Sequence, residues 1–182
     1  MGSEASRLVV IRGNSASGKS AVAAGIRERF GRGVALVGQD NLRRIVLREH
    51  DRPGASTIGL ISTVARYALD AGYHVIVEGM LYADRYGEML AWLVEEHRGL
   101  SRCYYLDIPL AETLVRHGTK PDPEYLARVT ETELREWYRP RDVLPGELET
   151  VVGPDSSLGE TVDLVMRETG LAGLAELPEP GL

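Results

Sequence analysis

Residues 13–20 read GNSASGKS and fit the pattern G-x-x-x-x-G-K-[ST] at every fixed position. Each residue type there has a physical task. Gly13 and Gly18 let the backbone turn and approach an oxyanion without a Cβ in the way. Asn14, Ser15, Ala16 and Ser17 supply main-chain N–H groups between them. Together with Ala21 at the start of the next helix, they present a helix N-terminus to the anion. Lys19 is expected to reach the β- and γ-phosphates of a nucleoside triphosphate, ATP or GTP, and the Ser20 hydroxyl to ligate Mg²⁺. The bland alternative is a glycine-rich turn with an exposed lysine. The apolar run Leu8-Val9-Val10-Ile11 just before the motif and the alanine-rich helical pattern just after it favour the phosphate loop.

Further candidate residues follow in segments that end strands or start helices. In GQDNLRR, residues 38–44, Asp40 lies just past a short apolar segment. Ligands of open parallel sheets bind at the carboxyl ends of strands. A carboxylate there can accept the proton of an attacking hydroxyl. Arg43 and Arg44, within one helical turn, could hold an anionic or polar substrate or stabilise transferred charge. The alternative is an aspartate N-cap followed by two solvated arginines. In VIVEGM, residues 75–80, Glu78 closes an apolar run and is expected to touch Mg²⁺ through water or to bind the acceptor. Gly79 would then open the backbone to substrate. Asp107, after residues 102–106, is expected to cap the following helix. Arg116 and Lys120 flank a break at Gly118 and Pro121. Trp137, Tyr138, Arg139 and Arg141 end a helical segment, and could stack in an acceptor pocket or face the core.

The elements that must position these groups alternate. Strands are expected at residues 7–11, 33–37, 74–77, 102–106 and 149–152. Helices are expected at residues 19–30, 41–49, 57–71, 82–97, 110–117, 124–138 and 158–169. Such alternation implies a parallel sheet covered on both faces. The chain has 182 residues, 43% hydrophobic and 26% charged, which fits one domain over residues 1–170 with a loose tail at 171–182. A net charge of −6 and the lack of a basic stripe argue against nucleic acid as partner. A single cysteine and no apolar run of membrane-spanning length fit a protein of the cytoplasm.

The order strand, phosphate loop, helix, strand, aspartate resembles the small P-loop kinases: chloramphenicol phosphotransferase, the zeta-toxin kinases and adenylylsulfate kinase. Asp40-Asn41-Leu42-Arg43 is similar to the Asp-Asn-x-Arg of adenylylsulfate kinases. The resemblance implies a three-layer α/β sandwich whose five-stranded parallel sheet has the order 2-3-1-4-5. It implies that Asp40 acts as base or holds the acceptor hydroxyl. A short lid at about residues 116–128 would bring Arg116 and Lys120 over the phosphates. The loop at residues 153–157 would lie beside the nucleotide base. The activity implied is Mg²⁺-dependent transfer of a phosphoryl group to a hydroxyl of a small molecule, with an antibiotic as one candidate acceptor. Competing readings are a metabolite or nucleoside kinase, a nucleotide-binding regulatory module and a GTPase. Thr119-Lys120-Pro121-Asp122 fits the guanine-recognition pattern [NT]-K-x-D in letters. It follows a helix instead of a strand, which argues against that use.

Overall fold

The computed structural model describes residues 1–119, 123–174 and 176. Its core is β1 (Arg7–Gly13), a strand buried along nearly its whole length. Leu8 and Val10 face one side of the sheet and Val9 and Ile11 the other, and each pair joins a separate apolar cluster. A continuous apolar run is what a strand covered on both faces needs. β3 (His74–Gly79) and β4 (Leu100–Leu106) flank β1, pairing Val10 with Val77 and with Cys103. β2 (Val34–Gly38) and β5 (Glu149–Val152) form the two edges, so the order is β2-β3-β1-β4-β5 with all pairings parallel. This is the expected order.

Helices cover both faces. α1 (Lys19–Phe30) and α7 (Leu158–Glu168) pack together on one side, through Val22, Ile26, Val162 and Val165. α2 (Ser56–Asp70) and α3 (Ala83–Glu96) pack on the other, through Ile61, Leu69, Tyr86 and Leu90. Among the described residues no helix is long and apolar enough to cross a membrane.

Two helices expected as single units are interrupted. The segment after β2 is a π-helix, Asn41–Val46, and regular structure ends there. Arg48 has a φ of 52°, which α-helix excludes. The Glu49 carboxylate instead accepts the N–H groups of Ser56 and Thr57 at 3.0 Å each, capping α2 from outside. The second case is residues 124–138, which divide into α5 (Pro123–Arg128) and α6 (Glu131–Trp137). Thr130 starts α6 with a capping box, its Oγ1 accepting from Glu133 N while Glu133 accepts from Thr130 N. α4 (Leu110–Gly118) begins at Pro109 with no side-chain cap, so Asp107 does not cap it as expected. Leu171, the first residue of the expected loose tail, is buried in a 3₁₀ turn, Leu171–Gly173, and residues 175 and 177–182 of that tail lie outside the described residues.

Candidate functional site

The phosphate loop connects β1 to α1 at the carboxyl edge of the sheet. Gly13 has a φ of 144°, and a Cβ there would lie 2.7 Å from the Leu106 carbonyl oxygen and 2.9 Å from Ser17 Oγ. Only glycine fits this close approach. Gly18 opens α1 in a left-handed conformation. The side chain of Lys19 is 7% exposed, and its Nζ donates to the Asn14 carbonyl at 2.7 Å. Ser20 Oγ donates to Glu78 Oε2 at 3.1 Å.

That last contact joins the end of β3 to the loop. Burial pushes the Glu78 carboxyl above its ordinary value, and the charge of Lys19 and the Ser20 hydroxyl pull it back only in part. Gly79 lines the cleft that holds Asp40 and Glu78, but has no room for a side chain of its own. A Cβ there would meet Gln39 Cβ and Oε1 at 2.5 Å, so the side chain of Gln39 fills that space. Gln39 Oε1 in turn accepts from Leu81 N at 3.2 Å.

Asp40 does not cap the following helix by its side chain. Its Oδ1 accepts from Arg43 Nη2 at 3.0 Å and from Arg44 Nε at 3.1 Å. Partial enclosure raises its proton affinity, but the two guanidinium groups outweigh that and hold its pKa below the usual aspartate value. Arg43 and Arg44 are therefore not a solvated pair. Arg43 is buried, and Arg44 lies 5.8 Å from the centroid of Trp137.

The loop separates two clefts. One, of about 440 Å³, is lined by Ser17, Gly18, Ala21, Arg116 and the segment from Gly153 to Ser157. This is where the resemblance puts the nucleotide base. Arg116 donates from Nη1 to the Ser17 carbonyl at 3.0 Å and pairs with Glu112. The other cleft, of about 130 Å³, brings Ser15, Ala16, Lys19 and Ser20 together with Asp40, Arg44, Glu78 and Trp137. Trp137 thus lines a cleft and does not face the core. Lys120 lies outside the described residues.

Two features escape a reading by motif. Asn14 sits inside the phosphate loop, yet its side chain points to a distant segment: Oδ1 accepts from Arg139 N at 2.9 Å and Nδ2 donates to Arg139 O at 2.8 Å. Only its main chain remains available to a phosphate. The second feature is Arg12, the residue before the motif, which is fully buried. Its guanidinium donates to both oxygens of Glu149 at 2.9 and 2.8 Å, to Asp142 at 3.0 Å and to the Leu81 carbonyl at 2.8 Å. Asp142 also accepts from Ala83 N, and Glu149 from Leu144 N. Arg12 and Asn14 together tie the connection between α6 and β5 against the sheet. A charged residue inside an apolar strand was the available signal for Arg12.

A divalent cation would find oxygen donors at Ser20 and Glu78, two neighbouring oxygens at the helix N-terminus. Mg²⁺ takes few protein ligands and keeps several waters, so this pair fits it. Among the described residues there is no group of three or more His, Cys, Asp or Glu side chains arranged to hold a metal.

Comparison with known proteins agrees with this architecture. The chain matches the AAA domain family over residues 8–143. No curated protein matches it. Among solved structures it is similar to the APS kinase of Mycobacterium tuberculosis in complex with AMPPNP and APS, at 21% identity, TM-score 0.67, covering 89% of this chain and 96% of that one. A sugar kinase of Janibacter matches at 17% identity and TM-score 0.65, over 94% of this chain and 99% of that one. A gluconokinase of Sinorhizobium meliloti matches at 21% identity and TM-score 0.55, over 96% and 93%. At these identities the likeness is one of fold. The matched family spans the phosphate loop, Asp40, Glu78 and Arg116 alike, and the chain belongs to the AAA domain family with the fold of a small P-loop kinase.

Proposed function

We propose that the protein is a kinase that transfers the γ-phosphoryl group of ATP or GTP to a hydroxyl of a small molecule. One observation carries this reading: a phosphate loop stands between two clefts, and the second cleft holds Asp40 beside Lys19 and Glu78. A nucleotide-binding module without an acceptor has no need of a carboxylate across from the phosphates.

In this mechanism the triphosphate lies along the loop amides with its base toward residues 153–157. Lys19 neutralises charge on the moving phosphoryl group. Ser20 and Glu78 would hold Mg²⁺, whose charge would offset that of the phosphates. Arg116, at the mouth of the first cleft, adds positive charge beside the phosphates. Asp40 orients the acceptor hydroxyl and takes its proton. Its low pKa keeps it ionised at neutral pH and makes it a weak base, so orientation is its larger task. Little covalent work is needed of the protein, because phosphoryl transfer depends mainly on positioning and charge. The acceptor class includes antibiotics, sugars and metabolites with a free hydroxyl, and the setting is cytoplasmic.

The test is a screen of hydroxyl compounds, antibiotics among them, for acceptor-stimulated loss of ATP and GTP, with Lys19→Ala as control. Turnover that rises with an acceptor and vanishes in Lys19→Ala is expected. Release of phosphate that no acceptor alters would refute the kinase and favour a GTPase or regulatory module.

A further inference from the structure

Next to the Asp40 cleft, and sharing Arg44, Met80 and Trp137 with it, lies a cavity of about 360 Å³. Arg43, Arg44, Arg85 and Arg139 line it, against the carboxylates of Asp51 and Glu136. Two of these arginines rest on one aromatic ring. The guanidinium carbons of Arg85 and Arg139 lie 5.0 and 3.9 Å from the centroid of Tyr82. Tyr82 is itself held, buried with its hydroxyl donating to the Trp137 carbonyl at 2.7 Å. The two cations therefore share one small region and are stacked in place before any ligand arrives.

Each arginine is also anchored without using up its donors. Arg85 donates to the Asp51 carbonyl at 2.8 Å and faces the Asp51 carboxylate at 3.4 Å. Arg139 donates from Nη1 to Asp84 at 2.7 Å. Arg43 and Arg44 share a single oxygen of Asp40, and the carboxylate of Glu136 on the cavity wall offsets the charge that pair has left over. A guanidinium carries five N–H donors. The Nε atoms of Arg43 and Arg85 are buried, as is Asp51 Oδ2, and none of the three has a hydrogen-bond partner among the described residues. Buried donors are ordinarily satisfied, so donors left over in a cavity of this size point to an acceptor from outside the chain.

We propose that this cavity holds an oxyanion group of the phosphoryl acceptor, with Arg85 and Arg139 as its specificity-determining residues. The acceptor is then a small molecule carrying a phosphate, sulfate or carboxylate at one end. Its hydroxyl extends past Met80 and Trp137 to Asp40. The proposal rests on the kinase reading for the hydroxyl, but the anion site can be tested without turnover.

The first arm saturates the protein with AMPPNP and Mg²⁺, so that the phosphate loop is filled. Sodium sulfate is then titrated against sodium chloride at constant ionic strength, read by tryptophan fluorescence, since Trp137 lines the cavity. A saturable, sulfate-specific change is expected, weakened about tenfold in Arg85→Gln and in Arg139→Gln. No sulfate-specific change, or wild-type sulfate affinity in both variants, overturns the proposal. Circular dichroism checks the fold of each variant. Arg139, with its side chain one-third exposed, carries the test where Arg85→Gln fails to fold. The second arm compares ribose 5-phosphate with ribose and gluconate with sorbitol as acceptors. The anionic member of a pair should support the higher kcat/KM. Both variants should raise the acceptor KM and leave the ATP KM within about twofold. Transfer to the neutral members alone overturns the anion site and leaves the kinase standing. Where no acceptor stimulates turnover, the kinase reading falls, and the sulfate arm alone decides the cavity.

Discussion

Replacing Asp40 by Asn separates phosphoryl transfer from mere nucleotide binding. The substitution keeps the size of the side chain and one acceptor oxygen, and removes the negative charge. The side chain is 60% exposed and its partners are two arginines at 3.0 and 3.1 Å. Asp40 is exposed but Arg43 is buried, and the substitution keeps an acceptor oxygen for it, so the loss should be about 1–2 kcal/mol and the melting temperature should move by only a few degrees. In the proposed mechanism nucleotide contacts come from the loop and Lys19, so ATP affinity should stay within about twofold. The rate is a different matter. Loss of a positioned proton acceptor typically costs about 10²–10⁴-fold. The two guanidinium groups lower the proton affinity of Asp40, which weakens it as a base and sets the expectation at the lower end. A fall of about 10²-fold in kcat corresponds to about 2.7 kcal/mol at the transition state. The assay is steady-state loss of nucleotide with an acceptor from the screen, alongside nucleotide titration by calorimetry. Full activity in Asp40→Asn would refute the reasoning and transfer the role to another acid. Loss of nucleotide binding would show instead that Asp40 belongs to the cation site.

Three further expectations follow from other parts of the structure. Arg116→Ala should lower kcat by about 10²-fold with a smaller change in nucleotide affinity, and equal losses in both would make Arg116 a ground-state phosphate ligand. Arg12→Met leaves the Glu149 carboxylate buried at 1% exposure without its cation, which should cost about 3–5 kcal/mol in denaturant unfolding; adding Glu149→Leu should restore most of it, and a single variant of wild-type stability would contradict the network described. Burial, with added repulsion from the N-terminal amine and Arg7, pushes the His97 imidazole from 6.5 to about 4. The unfolded chain therefore binds more protons between these values, so this stabilisation is present above pH 6.5 and is lost as pH falls toward 4. It amounts to roughly 3 kcal/mol. Melting temperatures from pH 7 to pH 4 should fall less steeply in His97→Gln, and parallel curves would show that His97 is not responsible.

Much of the fold is legible in the chain because both its periodicities are local. Leu8-Val9-Val10-Ile11 reads as a strand covered on both faces, and the spacing of Ile61, Ala65 and Leu69 reads as a helix laid on a sheet. Where the expectation ran too long, a local signal was present but outweighed by the apolar pattern. Thr130 and Glu133 form a capping box that splits residues 124–138, and Glu49 caps α2 instead of extending the helix before it. A side chain that serves another segment cannot be recognised from spacing within its own.

The same division runs through the site. GNSASGKS identifies itself because phosphate binding is done by consecutive backbone amides, whose geometry depends on glycines at fixed separation. The place of Asp40 and Glu78 followed from their position at the ends of strands, since a parallel sheet sends all such ends to one edge. Only the tertiary structure decided which distant residues meet there. The connection between α6 and β5 is drawn onto the sheet by Arg12 and by Asn14, and it carries Arg139 to the ring of Tyr82. Those contacts join residues more than 50 positions apart, chosen by the packing of whole elements. No periodicity or motif records such a choice, because each residue's own neighbours in sequence are indifferent to it.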